Sequence, residues 1–307
     1  MNGEESATTA GSESAGSDAT EVFEQHRPVL LGVAYRMLGR VADAEDVVQD
    51  AWLRWASAET GDVRSPRAFL VRVTTRLAID RLQSAQSRRE TYVGPWLPEP
   101  LVTDVHAAPV ADTAERVMLA ESVSLAVLVV LESLSPLERA VFVLREAFGF
   151  PYAEIATALD RSDSAVRQLA GRARSHVAER RPRFEADPEQ QRDLTERFLH
   201  AAKQGELGVL LELLATDARL IGDGGGKAKA PLRTITSAGK VGRFLAAIAE
   251  QGVPGTDFAI LELNGGPAIL ATIGSGAGVV MQLDVADGRI QCVYLIANPD
   301  KVAHLLA

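Results

Sequence analysis

Residues 150–177 read FPYAEIATALDRSDSAVRQLAGRARSHV, and this stretch decides the fold of the middle of the chain. Its apolar residues recur at helical spacing on both sides of Asp160 and Arg161, which predicts two short helices joined by a tight turn. Ser162 stands where it can cap the second helix. The stretch therefore predicts a helix-turn-helix whose second helix runs to Val177.

The outward face of that second helix carries side chains that suit the major groove of DNA. Arg can bond guanine bidentately and Gln can bond adenine, and each good pair discriminates by about 1–3 kcal/mol. Other arginines hold phosphates and carry no sequence information. An αα-corner with a solvated Arg face is the alternative. The candidate DNA-contacting residues are Ser164, Arg167, Gln168, Arg172 and Arg174.

A second amphipathic helix begins near Asp43, which is predicted to be its N-cap, and extends to Trp55. Its polar side carries Asp46, Gln49 and Asp50. The pattern fits an N-capped surface helix whose acids favour its own dipole. An acidic surface that docks on a basic partner protein is the alternative.

A third helix starts at Ser65-Pro66, an N-cap followed by proline at the first helical position. Its arginines are scattered away from the apolar side. Either their stems lie over the core of a solvated helix, or they form a second DNA surface facing phosphate and melted bases. The arginines are Arg67, Arg72, Arg76, Arg81, Arg88 and Arg89.

Three segments together resemble bacterial sigma factors of the extracytoplasmic-function (ECF) type. They are DAEDVVQDAW (43–52), LAIDRL (77–82) and LSPLER (134–139), the last leading into YAEIA (152–156), in that family's order and spacing.

The resemblance implies a role for each polar surface. The helix with Asp46, Gln49 and Asp50 would bind the clamp of core RNA polymerase. The second helix of the helix-turn-helix would read the −35 promoter element, although Leu169 stands where many members carry Arg. The residues that the resemblance places near the −10 element are Arg76, Asp80, Arg81, Arg88 and Arg89.

Three further segments resemble the sigma-J-like subgroup, which carries a C-terminal domain of the SnoaL/NTF2-like kind. They are RRETYVGPWLPEP (88–100), DGGGK (223–227) and NPDK (298–301). The resemblance implies a cone-shaped α+β domain that regulates the sigma factor in cis. The residues expected to make regulatory interdomain contacts are Trp96, Pro98, Asp223, Lys227, Asp300 and Lys301.

The predicted fold class is multidomain: two all-α sigma domains, the second with the helix-turn-helix, followed by an α+β NTF2-like cone. The polar N-terminus predicts a disordered tail, and the prolines after Tyr92 favour an extended linker. The expected segments are a tail (1–20), a region 2 domain (21–91), a Pro-rich linker (92–112), a region 4 domain (113–184) and the regulatory domain (187–307).

In the regulatory domain the pattern predicts a helix pair and then a meander of strands. Asp287-Gly288 is a hairpin signal between the last two strands. The predicted elements are helices 188–203, 206–214 and 238–251, and strands 218–222, 258–263, 268–273, 279–285 and 290–296.

Composition limits the classes of function. A formal net charge of −9 argues against a protein that coats nucleic acid by bulk charge. The single cysteine, Cys292, excludes an intrachain disulfide and fits a reducing cytoplasm. The N-terminus lacks signal-peptide features, and no apolar run is long enough for a membrane span. The expected partners are core RNA polymerase and promoter DNA, with no membrane.

The cone itself leaves alternatives open: a small-molecule enzyme, or a ligand-sensing module with an unknown small-molecule ligand. An isomerase needs a carboxylate base and an oxyanion donor, and the candidates are Asp223, Cys292 and Tyr294. Core packing is the alternative for the last two. We expect no enzyme activity and no cofactor. We also expect no metal, since the isolated histidines lack metal-ligand spacing.

Overall fold

The computed structural model of the chain describes residues 7–58, 63–89, 91–102, 124–180, 187–252, 254–274 and 277–306. The chain divides into two compact units. The first combines residues 1–85 with 134–176, and the second combines residues 86–133 with 177–307. Each unit is therefore built from two separate stretches of chain.

The described part of the first 180 residues is helical. A short π-helical turn, Val143–Ala147, directly follows the fifth helix. The helices are α1 (Ala7–Leu38), α2 (Val41–Ala56), α3 (Pro66–Arg89), α4 (Leu125–Leu131), α5 (Pro136–Phe142), α6 (Tyr152–Leu159) and α7 (Asp163–Arg180).

Two helix starts differ from the sequence prediction. Helix α1 begins at Ala7, inside the segment 1–20 for which composition predicts a disordered tail, and alanine there favours helix. Helix α2 begins at Val41, with Arg40 in the N-cap position, so the predicted cap Asp43 lies in the first turn. An acid in the first turn still favours the helix dipole.

The predicted helix-turn-helix is formed by α6 and α7. Asp160 ends α6 in the left-handed conformation with φ 54°, and the Ser162 hydroxyl accepts a hydrogen bond from the Ala165 N–H at 3.2 Å. Ile155 on α6 and Val166 on α7 are both buried. The turn chemistry and the two apolar faces therefore follow the sequence pattern.

Within the first unit, a buried arginine of α5 forms a hydrogen bond to the end of α1. The Arg139 guanidinium, 2% exposed, donates from Nε to the Arg36 carbonyl oxygen at 3.0 Å. Arg36 donates to the Gly32 carbonyl at 3.0 Å and lies 4.9 Å from the centre of the Phe148 ring. Burial lowers the pKa of Arg36 to about 10, so it stays charged near neutral pH.

The C-terminal part of the second unit is an α+β domain. Among its described residues, six strands are hydrogen-bonded in the order β2-β1-β6-β5-β4-β3; β1 and β6 pair in parallel, and the other neighbouring strands pair antiparallel. The elements are α8 (Pro188–Gln204), α9 (Leu207–Leu213), β1 (Leu214–Asp223), β2 (Ile235–Thr236), α10 (Ala238–Gln251), β3 (Thr256–Leu263), β4 (Gly266–Ile273), β5 (Ala277–Ala286), β6 (Arg289–Ile296) and α11 (Pro299–Val302), which a short 3-10 turn, Ala303–Leu305, follows.

Two apolar clusters form on the two faces of this sheet. One face packs against α8, α9 and α10, with Phe198 and Leu210 fully buried against Leu220 and Val293. The cluster on the opposite face contains Leu97 from the linker, residues of the strands, and part of α4. Both sheet faces are therefore covered. Helices α8, α9 and α10 cover one face, and the linker, part of α4 and the C-terminal residues Val302, Leu305 and Leu306 cover the other.

The predicted hairpin turn at Asp287-Gly288 forms with φ values of 52° and 69°. Two successive positive φ values are the geometry of a type I′ turn, which matches the twist of the strands it joins. No helix among the described residues is long and apolar enough to cross a membrane.

Candidate functional site

The polar face of α2 is exposed where the sequence predicts a protein-binding surface. Asp46, Gln49 and Asp50 are all exposed, and the side chain of Leu53 one turn later is 58% exposed. Beneath them the helix buries its apolar side in the core of the first unit. The surface therefore combines acidic groups with one apolar side chain.

Arg81 faces α2. Its Nη2 lies 2.9 Å from Asp43 Oδ1 and 2.6 Å from Asp46 Oδ2. The hydrogen bond to Asp43 is the largest cause that raises the pKa of Arg81. The structure therefore places Arg81 with the α2 carboxylates, although the resemblance groups it with the −10 residues.

Arg76 and Asp80 line a cleft of about 260 Å³ beside the helix-turn-helix, within the first unit. Arg76 Nε donates to the Ala158 carbonyl oxygen of α6 at 2.9 Å. Leu159 and Arg161 line the other side of the cleft. The side chains of Arg88 and Arg89 lie outside the described part of the structure.

The exposed side of α7 carries the five predicted −35 residues. Arg172 Nε pairs with Glu138 Oε1 of α5 at 3.0 Å, and Arg167 Nε pairs with Asp163 Oδ2 at 2.7 Å. Leu169 is 8% exposed and belongs to the core of the unit. The exposed predicted residues are Ser164, Arg167, Gln168, Arg172 and Arg174.

A cluster of buried polar groups lies in the second unit, around Asp223 at the end of β1. This side chain is completely buried. Its Oδ1 accepts from the Tyr92 hydroxyl at 2.6 Å, and its Oδ2 accepts from the Leu97 N–H at 2.8 Å and from Lys301 Nζ at 2.7 Å. One carboxylate thus holds two points of the linker and one point of α11.

Lys301 is the cationic partner in this cluster. It is 2% exposed, and its ammonium lies 4.0 Å from the centre of the Trp96 ring and 5.4 Å from that of Tyr92. It also donates to the Leu97 carbonyl. A buried ammonium is tolerated where a carboxylate, a carbonyl and aromatic faces replace its hydration.

The linker is held at further points along its course. The Leu101 N–H donates to Asn264 Oδ1 at 3.0 Å, and the Asn264 N–H donates back to the Leu101 carbonyl at 2.8 Å. His304 Nε2 lies 3.0 Å from the Pro100 carbonyl oxygen. Residues 97–101 are all buried. We call the segment 92–102 in this arrangement the docked linker.

The glycine-rich loop after β1 permits a close approach to the same cluster. A Cβ at Gly225, whose φ is +58°, would lie 2.3 Å from Asn298 Nδ2 and 3.0 Å from the Tyr92 hydroxyl oxygen. Lys227 at the end of this loop pairs with Asp300 at 2.5 Å, and both side chains are about half exposed. The loop therefore carries a surface ion pair beside the buried one.

The structure brings together Trp96, Asp223 and Lys301, buries Pro98 in the docked linker, and pairs Lys227 with Asp300 separately. Sequence reasoning did not single out Tyr92, Asn298 and Asn264. The first two lie inside the segments 88–100 and 298–301 that carry the resemblance. Asn264 lies in an Asn-Gly turn between two predicted strands, which is itself a turn signal.

Cys292 and Tyr294 lie on the sheet face that the docked linker helps to cover. Both belong to the apolar cluster that contains Leu97. Burial raises the pKa of the Cys292 thiol to about 12 and raises that of Tyr294 well above its ordinary value. Both groups are therefore uncharged near neutral pH, as expected of side chains packed in a core.

Comparison with known proteins gives a consistent result over nearly the whole chain. The family model for Sigma-70 region 2 matches residues 22–88, and that for Sigma-70 region 4 matches residues 124–177. The chain is 40% identical over 289 residues to the ECF RNA polymerase sigma factor SigJ of Mycobacterium tuberculosis, with 91% of each chain covered.

A second relative and a solved structure extend this likeness. The probable ECF RNA polymerase sigma factor SigI of Mycobacterium tuberculosis is 35% identical over 287 residues, covering 93% of this chain and 95% of that one. The crystal structure of Mycobacterium tuberculosis SigJ superposes with a TM-score of 0.74 at 36% identity, covering 92% of this chain and 98% of that one. The predicted order of two helical sigma regions followed by an α+β domain is confirmed.

Proposed function

The chain belongs to the ECF family of RNA polymerase sigma factors, and we propose that its C-terminal α+β domain controls this sigma factor in cis by holding the linker between regions 2 and 4. As a sigma factor it confers promoter specificity on core RNA polymerase. The observation that carries the cis control is the buried Asp223–Lys301 pair, which binds the linker at Tyr92 and Leu97.

We assign a role to each predicted segment on this basis. Residues 21–91 bind polymerase and the −10 element, residues 113–184 bind the −35 element, and residues 187–307 regulate. The segment 92–112 connects them, and no role is assigned to residues 1–20, in which α1 begins at Ala7. Because a sigma factor acts together with core RNA polymerase, we infer a cytoplasmic location.

The α2 face is the proposed contact with core polymerase. Asp46, Gln49 and Asp50 supply acidic and amide groups for a basic partner surface. Leu53, exposed on the same side, adds apolar area that binding to a partner would remove from water. The 2.6 Å ion pair with Arg81 holds the Asp46 carboxylate in position on this face.

The −10 surface is proposed to be α3, with Arg76 and Asp80 reaching the DNA and Arg88 and Arg89 farther along the same helix. In the structure Arg76 donates to the Ala158 carbonyl of α6. DNA binding by Arg76 therefore requires this bond to be exchanged for a phosphate or a base. This supports an arrangement of regions 2 and 4 that opens before promoter binding.

The −35 surface is proposed to be α7. Its exposed Arg and Gln side chains suit direct readout of guanine and adenine. Arg172 is held by Glu138 before DNA arrives, so an ordered guanidinium is presented to the groove. Arg174 is assigned to phosphate.

Two ligand-based alternatives receive less support. An enzyme would need an accessible base and an oxyanion donor, whereas Asp223 is bound to Lys301 and the linker, and Cys292 and Tyr294 are packed in a core. A small-molecule ligand in the cone stays a prediction. The sheet face beneath α8, α9 and α10 is filled by apolar side chains such as Phe198.

Reconstituted transcription with core RNA polymerase tests the proposal. The full-length chain, Lys301→Met and Lys227→Met are compared on a promoter library. We expect initiation at a shared −35/−10 pair, and a change in yield of about fivefold or more for Lys301→Met, the lower end of typical coupling between sites. Lys227→Met, which breaks the exposed pair, serves as the matched control. Equal yields from all three proteins would refute cis control.

A further inference from the structure

The first helix of region 4 lies in the same compact unit as the regulatory domain. The region 4 family model begins at residue 124 and so includes α4. The division into compact units nevertheless assigns residues 86–133 to the unit of the α+β domain and residues 134–176 to the other unit. Region 4 is therefore one domain by sequence and is split after α4 in the structure.

Helix α4 is a separate, fully apolar helix. Its seven residues read LAVLVVL. Ser124 caps its start by accepting from the Val127 N–H at 3.4 Å, and the Ser133 hydroxyl donates to the Val130 carbonyl at 2.6 Å just after its end. A helix that is apolar on every side must be covered on more than one side.

One of its covers is the sheet face that also holds the docked linker. Leu125, 1% exposed, belongs to the apolar cluster that contains Leu270, Val280 and Cys292 of the strands. Ala126 and Val129 of α4 pack against the same cluster. These side chains lie on successive helical turns, so one side of α4 faces this cluster.

We propose that this sheet face is a binding surface for the first helix of region 4, and that α4 leaves it when region 4 engages the −35 element. This inference rests on the proposed function. It makes region 4 a second target of control, bound through α4 to a cluster that also contains Leu97 of the docked linker. The sheet face thus holds a piece of the −35 reader as well as the linker.

The short connection after α4 limits how far α5 can lie from α4. Five residue steps separate Leu131, the end of α4, from Pro136, the start of α5, and span about 18 Å at most. Ser135 caps α5 by accepting from the Glu138 N–H, which fixes the start of that helix. While α4 stays on the sheet, the start of α5 stays within this distance of the end of α4.

The single cysteine of the chain reports directly on this surface. Cys292 is completely buried in the cluster with Leu125. Its raised pKa, about 12, keeps the thiol protonated and unreactive. Uncovering the face returns the thiol to water, where a larger thiolate fraction reacts with a thiol reagent. No engineered label is needed.

The first test compares Val129→Asp with Val127→Asp in the full-length chain. Both place the same charge on the same helix, and Val129 packs against the cluster whereas Val127 is not among its contacts. We expect the Cys292 labelling rate to rise at least about tenfold for Val129→Asp, because an aspartate on that side favours local opening. Indistinguishable labelling rates for the two variants would overturn the inference.

The second test uses the unmodified chain and a readout for Cys292 alone. Labelling of the Cys292 peptide is followed by mass spectrometry in the free chain and in the initiating complex with core polymerase and promoter DNA. We expect faster labelling in the complex. Initiation with unchanged protection would overturn the α4 inference and leave the proposed function standing. If no complex forms, the proposed function fails, and the two variants still decide whether α4 covers the face.

Discussion

Replacing Lys301 by methionine removes the charge at the centre of the docked linker and keeps a long unbranched side chain. The change breaks the 2.7 Å ion pair with Asp223 and the hydrogen bond to the Leu97 carbonyl. It also removes the ammonium from the face of Trp96. The Asp223 carboxylate would stay buried with the Tyr92 hydroxyl and the Leu97 N–H as its remaining donors.

The size of the effect follows from burial. Removing one partner of a buried ion pair costs about 3–5 kcal/mol, because the other charge stays buried without compensation. Lys301 and Asp223 side chains are 2% and 0% exposed, which places them in this class. Each 1.4 kcal/mol is a factor of ten, so the undocked fraction of the linker should rise about 100-fold or more.

Hydrogen exchange measured at single amides is the assay. The Leu97 N–H is bonded to Asp223, and the Leu101 N–H is bonded to Asn264, so each reports on one point of docking. We expect the Leu97 amide of Lys301→Met to exchange about 100-fold faster. Lys227→Met breaks an exposed pair worth about 0–1 kcal/mol, so its exchange should rise about fivefold at most.

A double variant separates charge from packing. Asp223→Asn combined with Lys301→Met leaves no buried charge. The amide oxygen at the Oδ2 position still accepts from the Leu97 N–H, and the amide nitrogen at the Oδ1 position can donate to the Tyr92 hydroxyl oxygen. We expect the double variant to recover most of the protection that Lys301→Met loses, since replacing both partners of a buried pair is often nearly neutral. Equal exchange at Leu97 in the Lys301 and Lys227 single variants would refute the reasoning.

Three further predictions concern the first unit. Asp50→Arg should weaken binding to core polymerase by about 1 kcal/mol or more, measured by titration, with an unchanged Tm; unaltered affinity would argue against the α2 surface. Gln168→Ala should relax preference at one −35 position by about 1–3 kcal/mol, whereas Arg174→Ala should weaken all promoters alike and reduce the salt slope by about 1. Identical selection profiles for these two would contradict the assignment. The Ser135 hydroxyl holds the pKa of Glu138 below its ordinary value. The Glu138 carboxylate therefore stabilises the folded protein at pH values above the pKa that Glu138 has in the unfolded chain. This stabilisation is lost as the pH falls through the lower pKa that Glu138 has in the folded protein. Glu138→Gln should therefore show a smaller loss of stability in acid denaturation, and the same acid profile as the unmodified chain would be the contrary result.

Local patterns predicted most of the secondary structure. Helix α10 has the bounds that its apolar spacing predicts, 238–251, and the turn between α6 and α7 follows its capping signals. The two-residue strand β2 was missed, because so short a strand has no period to detect. Its pairing with β1 depends on the fold of the whole domain.

The buried cluster could be predicted only in part. Asp223 and Lys301 are 78 residues apart in the chain and form a pair 2.7 Å long. Both residue types are almost always exposed, so composition argues for surface positions. The resemblance names both residues as interdomain contacts, but their burial, and the part played by Tyr92, follow from tertiary packing.

The position of α4 shows a second limit of sequence reasoning. Its seven apolar residues predict burial without naming what covers them. Cys292 and Tyr294 pose the same problem, since alternation along β6 puts them on one face and leaves open which chain lies over it. The sheet face, the docked linker and α4 meet through contacts between distant segments of the chain.

Transcription initiation with core RNA polymerase on a promoter library tests most directly that the chain is a sigma factor whose α7 reads the −35 element. The full-length chain is compared with its Arg167→Ala and Gln168→Ala variants on the same library. We expect specific initiation at one −35/−10 pair, with altered −35 preference in the two variants. Absence of both initiation and binding to core polymerase by the unmodified chain would contradict this expectation.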